Sequence, residues 1–182
     1  MSNKWVLTVP EAYIPSDFYA TKVELEKLKL EVEYLKKKIE ASKTEEINKE
    51  LSMPRELVEK LPREVQKTVE GIKLCYEHNH ADFCFMGMRK ALSTAIHIRF
   101  RREGKEDELY DPNRRPYKLP KWIELAKQNG FLSASLAKEL TKEVKVFGDI
   151  GSHDYKVDFH KEEVPSIFRL LRLALDRMYY QG

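Results

Sequence analysis

Apolar residues return along most of this chain at intervals of three and four, the spacing of an amphipathic helix. From Leu25 through Leu28, Val32 and Leu35 to Ile39 the steps are 3, 4, 3 and 4, a heptad seam. Lys and Glu fill nearly every other position of "EVEYLKKKIEASKTEEINKEL". Ser16, just after Pro15, suits an N-cap. Two readings stay open for the long helix over 16–52. It is a coiled coil that pairs with another helix, or an amphipathic helix lying on its own domain. Before it, residues 1–15 carry two prolines and the short apolar run Trp5–Val9, which predicts an extended arm that needs a partner surface.

The pattern changes at "SMPRELVEKLPREV", where Pro54 and Pro62 punctuate the chain and place a domain boundary near residue 53. Beyond it the periodicity predicts four or five helices. The first runs from about Pro62 to Tyr76, with Val65, Val69, Ile72 and Tyr76 on one face. The second runs from about Asp82 to Arg102, with Phe85, Met88, Leu92, Ala95 and Ile96 inward. A polar loop follows, and Pro120 opens a short helix that Gly130 ends. Ser133 or Ser135 caps the next helix, whose stripe is Leu136, Leu140, Val144, Phe147 and Ile150. The last helix, about 162–179, has the cleanest apolar face: Val164, Ile167, Phe168, Leu171, Leu175 and Met178. No segment alternates long enough to predict a strand. The expected fold is all-α, an up-and-down bundle over 53–182 preceded by the long helix.

Composition narrows the classes. Of 182 residues, 42% are hydrophobic and 35% charged, and no apolar run approaches the roughly 20 residues of a membrane span. The first residues lack the pattern of a secretion signal. Cys75 and Cys84 both fall in helical segments, which predicts free thiols and a reducing, cytoplasmic setting. A net charge of +3 is too small to imply nucleic acid unless it is gathered locally.

Such a gathering exists at "HIRFRREGK" and "NRRPYK". Arg99, Arg101, Arg102, Arg114, Arg115 and Lys118 sit at two ends of one loop, with Tyr110 and Tyr117 between them. Cations with interleaved aromatics hold phosphates and stack bases. The plainer reading is a cationic helix end followed by a solvated loop, diluted by Glu103, Glu106, Asp107, Glu108 and Asp111. "CYEHNHADFC" places Cys75, His78, His80 and Cys84 within one stretch, but without the paired spacing of a zinc site. No metal or cofactor is expected. His97, alone on its helix, and His160, near the start of the last one, are expected to be structural or solvated. No phosphate-binding loop or nucleophile elbow is present.

"VFGDIGSHD" is the remaining irregularity. Gly148, Gly151 and Ser152 are three and four apart, so in a helix they form a flat strip that lets a second backbone approach. His153 would lie near a helix C-terminus, one turn from Asp149. The alternative is that Gly151 simply ends the helix.

Residues 61–180 resemble the HEPN superfamily of prokaryotic all-α domains. The residues that carry the likeness are the Leu61-Pro62 start, "RKAL" at 89–92, "GDIGSH" at 148–153 and the leucine-rich last helix. Asp149 stands where the family usually has Asn. The resemblance implies a four- or five-helix bundle that pairs with a copy of itself. Active ribonucleases of that superfamily carry an arginine upstream of the histidine, at five residues in the shortest form. A guanidinium there grips two phosphate oxygens while the histidine moves the proton of the ribose hydroxyl. Here that position is Gly148, and the nearest preceding cation is Lys145. The expectation is therefore a non-enzymatic scaffold that forms homodimers and engages a protein partner through the coiled coil, in a defence or nucleic-acid-processing assembly. A metal-independent ribonuclease using His153, with Asp149 and Lys145 beside it, and a nucleic-acid binder using the 99–118 loop are the alternatives.

Overall fold

The computed structural model describes residues 16–149 and 160–180, with only the backbone described at 16–20, 22–23, 43–44, 46–48 and 144–149. The 1–15 arm, Ile150, Gly151, Ser152 and His153 lie outside the described residues. Seven α-helices and no strand are present among those described. They are α1 (Ser16–Glu50), α2 (Arg55–Lys60), α3 (Arg63–Glu77), α4 (Ala81–Arg102), α5 (Leu119–Gln128), α6 (Ala134–Asp149) and α7 (Val164–Tyr179). The chain divides into two compact units, residues 1–44 and 45–182.

The second unit is an all-α bundle built on α4. Nearly every apolar side chain of α4 is enclosed, from Cys84 and Phe85 through Met88, Leu92 and Ile96 to Phe100. α3 and α7 cover it, and α5 and α6 pack on its remaining sides. The stripe of α7, Val164, Ile167, Phe168, Leu171, Leu175 and Met178, is wholly buried, as its period requires. The core extends back to Leu51, which is 0% exposed just after α1. The short α2 lies between Pro54 and Pro62 and buries Leu57. A six-residue helix offers less than two turns of periodicity, so the two prolines dominate its sequence pattern.

Three helix ends use one device. α3, α4 and α5 each close with a left-handed residue just past the cap: Asn79, Gly104 and Gly130. In each, the following N–H reaches back to the carbonyl three positions before the cap: His80 to Cys75, Lys105 to Phe100 and Phe131 to Ala126. This is the Schellman closure, and it turns the chain sharply enough for three residues to join α3 to α4. α6 starts on Ser133, whose hydroxyl accepts the Leu136 N–H at 3.3 Å.

Candidate functional site

Within the first unit the heptad side chains stand in solvent. Leu25, Leu28, Val32, Leu35 and Ile39 are 47–56% exposed along one line of α1. Single exposed apolar residues are ordinary, but five on one seam of one helix form a contiguous stripe. Leu30 and Tyr34 are exposed on other faces of the same helix. Around the stripe the surface is charged, and Lys29 meets Glu26 at 3.0 Å and Lys37 meets Glu33 at 3.3 Å. Both pairs are exposed and hold the side chains only loosely.

The cationic segment of the second unit is a built loop. A 3₁₀ turn at Glu106–Leu109 buries Leu109. The Asp111 carboxylate accepts the N–H groups of Asn113 and Arg115, both at 2.8 Å, which bends the chain so that Tyr110 bridges to Pro116. Trp122 of α5 donates its indole N–H to the Leu109 carbonyl at 3.0 Å. His97 of α4 stacks on that indole and meets Glu106 at 2.8 Å, so it ties the loop to the bundle.

The six cations of the loop differ in what they touch. Arg99 turns inward, donates to the Met178 carbonyl at 3.1 Å and pairs with Glu103 at 3.1 Å. Arg102 lies over the Tyr179 ring, 5.4 Å from its centre. Arg114, itself left-handed, donates to Asp107 at 2.6 Å. Arg101, Arg115 and Lys118 are exposed. Sequence alone ranked Arg99 with the solvent-facing cations, because its main partner lies 79 residues further along the chain.

The thiol and imidazole cluster of the α3–α4 turn does not converge. Cys84 is buried, with its sulfur 3.5 Å from the Ile72 carbonyl, and burial pushes its pKa up to about 12. Cys75 is half-buried, while His78 and His80 are exposed. Among the described residues no group of three His, Cys, Asp or Glu side chains is placed to hold a metal. No described helix is long and apolar enough to cross a membrane. Beside Cys75, α3 and α4 frame an open apolar groove lined by Gly71, Phe83, Met86 and Gly87. Phe83 and Met86 are more than half exposed, and neither belongs to the inward stripe of α4.

Lys145, Gly148 and Asp149 occupy the last turns of α6. Comparison with known protein families, curated proteins and solved structures finds no match to this chain.

Proposed function

We propose that this chain is a non-enzymatic helical scaffold that self-associates through α1. The observation that carries the proposal is the exposed stripe of Leu25, Leu28, Val32, Leu35 and Ile39. Covering a half-exposed aliphatic side chain contributes roughly 1 kcal/mol. Ten such side chains from two copies therefore approach the estimated cost of association, about 4–15 kcal/mol. Pairing on this seam then depends on concentration and on the charges that flank it.

The HEPN resemblance of residues 61–180 belongs to the same proposal. It suggests a setting in a defence or nucleic-acid-processing assembly and a bundle that takes part in the pairing. Gly148 in place of a guanidinium supports a role without phosphodiester cleavage. The inward contact of Arg99 with the Met178 carbonyl and the exposed pairing of Arg114 with Asp107 favour a structural role for the 99–118 loop over phosphate binding. Light scattering on the intact chain and on a Leu28→Glu/Leu35→Glu variant tests the proposal. Loss of the larger species in the variant supports it, and a monomeric parent chain contradicts it.

A further inference from the structure

We infer that the partner of α1 is the same helix of a second copy, packed parallel and in register. This rests on the self-association proposed above and adds its geometry. With Leu25, Val32 and Ile39 at heptad position a and Leu28 and Leu35 at d, the flanking positions follow. Glu24 and Glu31 take g, and Lys29 and Lys36 take e. All four of these side chains are exposed on a continuous helix.

In a parallel, in-register pair each g residue faces the e residue of the next heptad on the other chain. Glu24 then faces Lys29 of the second copy and Glu31 faces its Lys36, and two-fold symmetry repeats both contacts. An antiparallel pair sets g against g and e against e. It would place the Lys29 and Lys36 row against lysines and the Glu24 and Glu31 row against glutamates. Shifting the register by one heptad keeps only three of the five stripe layers facing one another, so the apolar overlap favours the unshifted pair. The next positions in the sequence, Lys38 at g and Lys43 at e, are alike in charge, so the complementary run ends there. Each exposed pair adds little affinity, and its effect is to select orientation and partner. Val32 and Ile39 at a, with Leu28 and Leu35 at d, select two strands over three or four. The intrahelical contact of Lys29 with Glu26 is about 60% exposed on both sides and competes weakly with the pairing.

Cross-linking of the full chain tests the orientation. Leu28→Cys is placed in a Cys75→Ser background, which leaves only the buried Cys84 as a native thiol. Facing d residues of a parallel pair come within disulfide reach. Glutathione disulfide oxidises the two thiols to one interchain bond and is itself reduced. Cross-linking several-fold faster than in a Lys37→Cys control, which sits on the outer face, is expected. A chain that is dimeric by light scattering but cross-links no faster than the control overturns the parallel register and leaves self-association standing. A chain that is monomeric by light scattering overturns both. Charge exchange gives a second reading. Glu24→Lys/Glu31→Lys is expected to lose the dimer at low salt and to regain it when mixed with Lys29→Glu/Lys36→Glu. An unchanged mass for the unmixed variant contradicts the pairing.

Discussion

The Tyr179 hydroxyl, near the end of α7, donates to the Ala95 carbonyl in the middle of α4 across 2.7 Å. The two helices are thus joined by a buried polar contact as well as by packing. Tyr179→Phe removes the donor and is expected to cost about 1 kcal/mol, read as a lower urea midpoint with an unchanged slope.

The same burial has a pH signature. It raises the Tyr179 pKa from 10.0 to about 12, and that of Cys84 from 9.0 to about 12. Both groups are neutral when protonated, so the folded state holds its protons at pH values where the unfolded chain has lost them. Their contribution to stability is complete below pH 9 and is lost progressively from pH 9 to about 12. Urea midpoints should fall across that window. Tyr179→Phe and Cys84→Ala should each flatten the fall, and a midpoint that rises from pH 9 to 11 would contradict the assignment.

Two helical glycines predict opposite outcomes. At Gly71 of α3 an added methyl meets nothing within 4 Å, whereas at Gly87 of α4 it lies 2.6 Å from Ile72 Cγ1. Ile72 is itself buried and cannot swing aside. Gly71→Ala should stabilise the bundle by about 0.5–1 kcal/mol. Gly87→Ala should destabilise it by about 1–3 kcal/mol, because overpacking exceeds the gain in helix propensity. Thermal melts of the two variants check both signs.

Much of the bundle was legible in the pattern of apolar residues, and its gaps have physical reasons. α7 and α4 are long enough for a 3.6-residue period to repeat four or more times, so every residue named as inward is buried, though Cys84, Ala91, Ile98 and Phe100 of α4 and Ala174 and Tyr179 of α7 are buried as well. α2 offered six residues between two prolines, too few for any period. The inward turn of Arg99 was hidden because a charged residue at a helix end has the same sequence pattern whether it meets solvent or a distant carbonyl. Only the packing of α7 on α4 supplies Met178 as its acceptor. On α1 the seam was plain, but periodicity does not say what covers it. The last turns of α6 show where Lys145, Gly148 and Asp149 lie, while Gly151, Ser152 and His153 fall outside the described residues.

The position of Gly148, five residues before His153, bears on chemistry. With no guanidinium there, the purified chain is expected to leave structured RNAs and tRNAs intact, and His153→Ala to change nothing in the same assay. Cleavage that disappears in His153→Ala would instead restore the ribonuclease reading and require a cation from elsewhere.

Light scattering of the intact chain across micromolar concentrations bears hardest on the proposed scaffold. A mass near twice the chain's 21.5 kDa is expected, falling to a single chain in Leu28→Glu/Leu35→Glu with helical content preserved. A parent chain that stays at 21.5 kDa throughout, or a double variant that remains paired, would contradict it.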